Sequence, residues 1–438
     1  MSVLREKHKP LKNKTNEKNE RTHSAIDHMS GRSVYDDNGP RTRIGQIWAH
    51  HHFRYSKNGD NNQKLEYVHI IAQGNNLATI TNTNGKFTLK ADSSYFPLTL
   101  EFLHIGYKKN RIQVAANQKE ELVIQMKPHS YLLDEAIILP NDARFIVEQA
   151  IQNIAHNYLT VPSLLKGFYR ETVQKRKKYI NLSEAVTHTY KTSYTTGNAI
   201  KDKVEVVKSR RLISHKATDT LAVKLSGGPV LSIWLDIVKN PEILLAQEIL
   251  DGYHFTLASP ETINGKLAYV IHFRPTGQIP YALYEGKLYI NPINLSFIRA
   301  EFNLNLKKKA EATQMILSRK PAGLRFNLLE ASYIISYREQ NGKTVQNYIR
   351  NRIRFKCDWK RKLFGTSYTI QSENIVTDWE EIPSIQLPKD RAYPPNKAIY
   401  DSAPANWSTD FWKEYNILEP DESLEKAVRK LKKENKSK

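Results

Sequence analysis

Residues 253–306, YHFTLASPETINGKLAYVIHFRPTGQIPYALYEGKLYINPINLSFIRAEFNLNL, read as four β-strands in succession. Tyr253, Phe255 and Leu257 alternate with His254, Thr256 and Ala258, and Leu267, Tyr269, Ile271 and Phe273 alternate with Ala268, Val270, His272 and Arg274. Leu288 and Ile290 flank Tyr289. Ile298, Ala300, Phe302, Leu304 and Leu306 alternate with Phe297, Arg299, Glu301, Asn303 and Asn305. Side chains along a strand point to opposite faces with period two, so the spacing predicts a sheet with one apolar and one polar face. Asn264-Gly265, Pro275-Thr276-Gly277, Glu285-Gly286 and Asn291-Pro292 separate the strands as turns. No catalytic motif decorates this meander, and it reads as scaffold.

The 438 residues around it are enough for two or more domains. Tyr, with 23 copies, favours half-buried strand positions. The formal net charge of +21 is spread along the chain. Such a balance suits nucleic acid, an anionic membrane surface or plain solubility. Nucleic-acid recognition usually adds a helix-turn-helix, a zinc finger or an aromatic-basic sheet signature, and none is present. The single cysteine, Cys357, rules out an intramolecular disulfide and a cysteine-rich metal site. It alternates with the pattern of Val345, Ile349, Ile353 and Phe355, so it reads as a small buried hydrophobe. No run approaches the ~20 apolar residues of a membrane helix. The N-terminal residues carry positive charge without an apolar stretch, which predicts no export signal in this chain.

Along the chain, residues 1–45 are too polar to offset ordering and are expected to be disordered. His50, His51 and His52 follow, but neighbours in a strand face opposite ways and no carboxylate stands at a helpful spacing, so no metal site is expected. Residues 46–127 carry short alternating strands: Leu65–Ile70, Leu77–Asn82, Lys86–Ala91, Leu98–His104, Asn110–Ala115 and Glu121–Met126. Asn84-Gly85 predicts a hairpin, because both positions accept positive φ. The pattern predicts a small β-sandwich. Residues 128–157 read as a linker and an amphipathic helix, with Ile146, Val147, Ala150, Ile151 and Ile154 on one face and Asn141 or Asp142 as N-cap. Residues 158–380 read as a large antiparallel β domain, with short helices over 229–250 broken at Asn240-Pro241. Beyond the meander its strands are Ala312–Leu317, Leu324–Leu329, Tyr333–Tyr337, Val345–Cys357 and Ser367–Val376. Residues 381–438 are a Pro-rich extension and a helix opened by Pro420, with Leu424, Ala427, Val428 and Leu431 on one face.

The run Leu65-Glu66-Tyr67-Val68-His69-Ile70, then Ala78–Leu89 with its Asn84-Gly85 turn, then Leu103-His104-Ile105-Gly106-Tyr107, resembles the carboxypeptidase-regulatory-like domain. That family has a transthyretin-like or immunoglobulin-like sandwich. The family usually places Gly before the Thr of its second strand, where this chain has Ala78. Leu132–Leu139 resembles the linker that follows such domains. Gly167–Glu171, Glu184-Ala185-Val186, Gly227-Gly228-Pro229 and Phe411–Leu418 resemble the larger family of Bacteroidetes proteins that join this module to a long β-rich second domain. The resemblance spans roughly residues 63–433 and implies a periplasmic or outer-membrane-associated protein; with no visible signal peptide, the cytoplasm is the alternative. The second domain, with helices on one side, is similar to the periplasmic lipoprotein-carrier architecture, a likeness of fold that does not give function.

Peptidase chemistry is not expected: no His is followed three places later by Glu, and there is no His-Glu-x-x-His. Gly-x-Ser-x-Gly and the Gly-rich nucleotide motifs are absent. The best polar cluster is Tyr169, Arg170 and Glu171 with Glu184 and His188. Paired carboxylates there would tune each other for acid/base work, whereas an ion pair locking two strands is the plainer reading. Arg350, Arg352, Arg354 and Lys356 share one face of a strand as a basic stripe. It suits an anionic partner, or else a solvated face with cross-strand acids such as Glu330 or Glu373.

The fold is expected to be mainly β: a small N-terminal sandwich followed by a large antiparallel sheet with a few packed helices. The expected function is a non-enzymatic cell-envelope binding or structural protein, without cofactor or metal, for a hydrophobic or anionic ligand or a protein partner. Envelope protein, lipid and polysaccharide are the partner classes. A large apolar cavity between sheet and helices would favour the binding reading, and a fully packed core there would count against it. The alternative is a hydrolase using Arg170, Glu171 and Glu184, which requires one of those acids in an open cleft.

Overall fold

The computed structural model describes residues 51–53, 56–58, 63–116, 122–129 and 142–436, apart from 197, 220, 222, 226, 264, 265, 278–283, 360–364, 396, 409, 410 and 414. Segment 1–45, His50, the side chains of His51 and His52, the Asn264-Gly265 turn and the linker Leu132–Leu139 lie outside those residues.

Eight short strands come first: β1 (His51–Phe53), β2 (Ser56–Asn58), β3 (His69–Ala72), β4 (Ala78–Ile80), β5 (Phe87–Leu89), β6 (Leu98–Leu103), β7 (Asn110–Val114) and β8 (Ile124–Met126). A four-stranded sheet runs β4-β3-β6-β7, while β1 pairs with β5 and β2 with β8. Ile70, Phe87, Leu89, Leu100, Phe102, Val114 and Met126 close one core between these layers. The expected hairpin at Asn84-Gly85 is corrected. Gly85 does turn the chain with φ 73°, but β4 and β5 belong to different sheets. Asn82 Oδ1 accepts from the amides of Asn84 (2.9 Å) and Lys86 (3.0 Å), so the local bonding is used up within the turn and the chain crosses from one layer to the other.

Helix α1 (Ala143–Gln152) is capped by Asp142, whose side chain accepts from the amides of Arg144 and Phe145. Its buried face is Ala143, Ile146, Val147 and Ala150. A single turn, α2 (Ile154–Asn157), leads to β9 (Ser163–Lys175), β10 (Lys178–Lys191), β11 (Lys203–Ile213) and β12 (Lys224–Leu225). Helical turns α3 (Leu231–Trp234) and α4 (Gln247–Leu250) precede β13 (Tyr253–Ile263), β14 (Lys266–Pro275), β15 (Tyr284–Ile290) and β16 (Phe297–Leu304). Then follow α5 (Lys309–Ile316), β17 (Leu317–Arg319), β18 (Leu324–Gln340), β19 (Lys343–Trp359), β20 (Thr366–Glu381) and α6 (Glu422–Lys436).

Ten of these strands make one antiparallel sheet in the order β11-β10-β9-β20-β19-β18-β16-β15-β14-β13. The meander is thus one edge of a wider sheet, and β20 returns to pair with β9 and close its middle. Of the strand expected at Ala312–Leu317, Ala312–Ile316 is instead the end of helix α5, and Leu317 opens the short strand β17. Lys309-Ala310-Glu311-Ala312 and Gln314-Met315 are good helix formers and outweigh the short alternation. Leu324–Leu329 and Tyr333–Tyr337 are two parts of the single strand β18.

One face of the sheet carries the main core. Leu165, Val173, Ile271, Phe273, Leu288, Phe302, Ile335, Ile349 and Phe355 meet Ile146 and Val147 of α1 and Leu235, Ile237, Leu244 and Leu250 of the 231–250 segment. The space between sheet and helices, where the binding reading called for a cavity, is occupied by a continuous packed core, which counts against a ligand at that place. Gly286 sits between Phe273 and Phe302 in the cross-strand register, and a Cβ there would run into the backbone of Glu301 and Phe302. Only Gly permits that approach of β15 to β16.

Candidate functional site

Strand β9 is buried on both sides, so its alternation divides the polar cluster at Tyr169–Glu171. Arg170 shares a face with Phe168, which packs with Ile80, Tyr348, Ile375, Trp412 and Leu418. Tyr169 faces the other way, against Ala185, Ile399 and Ala403. The structure brings Arg170 and Glu184 together as direct cross-strand partners, and separates both from Glu171.

Continuing that register draws one row of side chains across the whole sheet. Arg210 on β11 faces Glu184 on β10, which faces Arg170 on β9. Arg170 faces Glu373 on β20, and Glu373 faces Arg350 on β19. Arg350 faces Ile334, Ile334 faces Glu301, Glu301 faces Lys287, Lys287 faces His272, and His272 faces Thr256 on β13. Opposite charges placed directly across strands attract, and the first five positions alternate in sign.

The two halves of this row meet different surroundings. Glu184 is 2% exposed and Arg170 3%. Arg170 Nε donates to Glu184 Oε1 at 2.9 Å, Arg210 Nε to Glu184 Oε2 at 2.8 Å, and Trp412 Nε1 to Oε2 at 3.0 Å. The arginines also bind the C-terminal segment: Arg170 donates to Leu418 O (2.6 Å) and Arg210 to Ser408 O (2.9 Å), with the Arg210 guanidinium 3.9 Å from the Trp407 ring centre. Burial pushes the Glu184 carboxyl up, and Arg170 and Arg210 more than offset it, leaving it below the ordinary carboxylate value.

On its far side the C-terminal segment is held by the sandwich. Lys90 Nζ donates to Trp412 O (2.7 Å) and Tyr415 O (2.8 Å), and Asn82 to Pro420 O (3.0 Å). At the other end of the closed half, Arg350 donates to Tyr67 of the sandwich at 2.6 Å. Burial first, then Glu373, raises the Tyr67 phenol to about 12, so it stays protonated. Arg338 anchors the sandwich elsewhere, donating to Asn347, Gln340 and Val376 O and, at 3.5 Å, to Asn76 O. Burial lowers its guanidinium to about 9.

The other half of the row is open. His254, Thr256, His272, Arg274, Glu285, Lys287, Glu301, Asn303, Ser332, Ile334 and Arg350, with Ala258, Phe273, Gly286, Phe302 and Tyr333, line a groove of about 750 Å³. Arg350 is the hinge of the two halves, touching the groove on one side and Tyr67 on the other. The remaining stripe residues run down β19 away from the sandwich. Arg354 donates to Glu330 Oε2 at 3.1 Å, Arg352 lies 3.6 Å from Glu330 and Lys356 3.6 Å from Asp358, all with half-exposed side chains. Glu330 and Glu373 are the cross-strand acids of the plainer reading.

Two buried polar groups lie on the helix-covered face. Tyr169 OH donates to Glu171 Oε2 at 2.8 Å, while among the described residues Glu171 Oε1 has no partner and no cation pairs with it. Burial raises its carboxyl to about 7. The second is Lys191, Tyr194 and Tyr337 around Asp236. Lys191 and Asp236 form an ion pair with both side chains wholly buried, and Tyr194 and Tyr337 donate to Asp236 at 2.8 and 2.7 Å. This group ties the 231–250 segment to β10 and β18.

Sequence reasoning reached Arg170, Glu184 and Arg350 but missed Arg210, Trp412, the Lys191–Asp236 pair and the floor of the groove. His254, Thr256, His272 and Arg274 stand in the alternation of the meander as its polar side, and that was the available signal. Their convergence with Lys287 and Asn303 depends on register.

Among the described residues no group of His, Cys, Asp and Glu is arranged to hold a metal ion, and no helix is long and apolar enough to cross a membrane. No curated protein matches the sequence. Among solved structures the chain is similar to an outer membrane lipoprotein-sorting protein domain from Vibrio parahaemolyticus, at 11% identity and TM-score 0.26, covering 56% of this chain and 95% of that one. It is similar to a DUF1329 family protein from Desulfovibrio piger, at 10% identity and TM-score 0.26, covering 55% and 92%. A membrane-associated protein of unassigned function from Bacteroides fragilis aligns over 76% of this chain and 99% of its own, at 8% identity and TM-score 0.15. Scores this low carry no weight for fold or function. The sandwich is another matter, because its sequence matches a family model over residues 57–138, and that part of the chain is a CarboxypepD_reg-like domain.

Proposed function

We propose that the chain is a non-catalytic cell-envelope binding protein whose ligand site is the open half of the polar sheet face. The observation that carries this reading is the unequal cover of one continuous row. From Arg210 to Arg350 the row is sealed by the C-terminal segment and the sandwich, and from Ile334 to Thr256 it lines a groove of about 750 Å³. A cavity of that size lies within the range of small-molecule sites. The CarboxypepD_reg-like domain acts in this reading as a fixed cover and attachment module. A hydrolase at Arg170, Glu171 and Glu184 lacks what acid/base chemistry needs, a carboxyl within reach of substrate. Glu184 is locked between two arginines, and Glu171 is buried on the opposite face.

Native mass spectrometry of the full chain isolated from its own organism tests the proposal. The wild type is expected to carry a small non-covalent adduct. Asn303→Trp, which fills the groove, should lose it, and Arg354→Trp, outside the groove, should keep it. An adduct on all three proteins, or on none, overturns the proposal.

A further inference from the structure

We infer that the groove holds a phosphate-type oxyanion on a basic patch formed by His254, Arg274, His272 and Lys287, an inference that rests on the groove being the ligand site. The strand register supplies the geometry. His254 and Arg274 are direct partners across β13 and β14, and His272 faces Lys287 across β14 and β15. Directly opposed side chains start about 5 Å apart, and residues two apart on one strand about 6.6 Å apart. The four positions form a zigzag across three strands, ~12 Å from end to end, with Arg274 and His272 at its centre and the longer side chain of Lys287 reaching in from β15.

The charges around this area are already divided. Glu301 is neutralised by Arg299 at 2.5 Å, and Glu285 accepts from Asn305 Nδ2 at 2.8 Å. Lys287 reaches Glu261 only at 3.8 Å, with both side chains more than a third exposed, a contact worth little in water. Arg274, His254 and His272 have no side-chain partner among the described residues. Glu301 is paired with Arg299 while Glu285 keeps its charge, so one acid faces four donors drawn from three strands, and an anion is the complement. Donors from three strands suit a tetrahedral oxyanion, whereas a planar carboxylate is satisfied by Arg alone in a two-pronged contact. The anion belongs to a water-soluble ligand. None of the large apolar side chains that stay exposed among the described residues, such as Ile200, Ile293 and Trp359, lines the groove, and its Phe273, Phe302 and Tyr333 are buried, so these residues offer a bilayer no anchor there.

Equilibrium dialysis of the full chain against radiolabelled inorganic phosphate at fixed ionic strength tests this. Saturable binding at one site is expected, weakened at least tenfold in the double variant Arg274→Gln, Lys287→Gln and unchanged in Arg354→Gln. Absence of saturable binding, or equal binding by the double variant, overturns the inference. Sedimentation with phosphatidylglycerol vesicles is expected to pellet wild type and double variant alike; pelleting that depends on Arg274 and Lys287 overturns the soluble source. The adduct seen by native mass spectrometry should also vanish from the double variant. If the double variant keeps an adduct that Asn303→Trp loses, the anion fails and the groove stands. If every variant keeps it, the groove itself fails.

Discussion

Replacing Glu184 by Gln removes the charge shared by two buried arginines and tests whether the row is closed as described. The carboxylate accepts three hydrogen bonds of 2.8–3.0 Å from Arg170, Arg210 and Trp412. All the charged partners are at most 8% exposed, so solvent screening takes little away. Removing one partner of a buried ion pair costs ~3–5 kcal/mol, because the other charge stays buried without compensation. Gln keeps one acceptor oxygen, which places the expected loss near ~3 kcal/mol, or a fall in Tm of about 5 °C for a chain of this size. The loss should be local in origin. Arg170 and Arg210 hold the carbonyls of Leu418 and Ser408, so amide exchange over residues 407–419 should rise while α1 keeps its protection. The pH dependence has a definite sign. Since the folded carboxyl lies below its ordinary value, its contribution is complete above the unfolded value of about 4.3 and is lost as pH falls through the folded one. The difference between wild type and Glu184→Gln should therefore shrink below about pH 4. A variant that melts within 1 °C of wild type at pH 7, with unchanged exchange over 407–419, refutes the reasoning.

Glu171 should behave in the opposite sense. Its carboxyl is raised to about 7 by burial, so the folded state holds a proton that the unfolded state releases near its ordinary value, and stability falls as pH rises between about 4.5 and 7. The stability of wild type relative to Glu171→Gln should fall by up to about 3 kcal/mol over that window, as measured by denaturant titration of both proteins at stepped pH. Gly228 has φ +88°, and an added Cβ would meet the carbonyl of Lys397, so Gly228→Ala should cost ~1–3 kcal/mol. Gly74→Ala, at φ +77° in open space, should cost less in the same urea titration. Asp236→Ala leaves Lys191 charged and buried, and a loss of ~3–5 kcal/mol is expected by thermal and urea unfolding.

The strands of the meander were legible because alternation is local. Tyr253, Phe255 and Phe273 point to the core and His254, His272 and Arg274 away from it, as period two requires. Cys357 is buried as expected, and the Asp142 cap and the helix after Pro420 followed from end signals. Helix α5 was hidden by a short apolar alternation that propensity outweighed. The row itself was not legible, since no local rule says that β20 returns to β9 or that Glu373 stands between Arg170 and Arg350. Register is set by the packing of whole faces, which the sequence shows only one strand at a time. Trp412 was visible as part of a motif, but that its indole reaches Glu184 across 228 residues of chain is a tertiary fact.

The central claim, that the open half of the row holds a ligand while the other half is sealed, is tested most directly by carboxyl footprinting. The protein would be labelled with carbodiimide and glycinamide as isolated from its own organism, and again after the ligand is stripped by high salt. The account predicts that Glu285, exposed in the groove, is labelled slowly as isolated and fast after stripping, while Glu184 stays unlabelled in both. Equal labelling of Glu285 before and after stripping, or labelling of Glu184 as fast as Glu285, contradicts it.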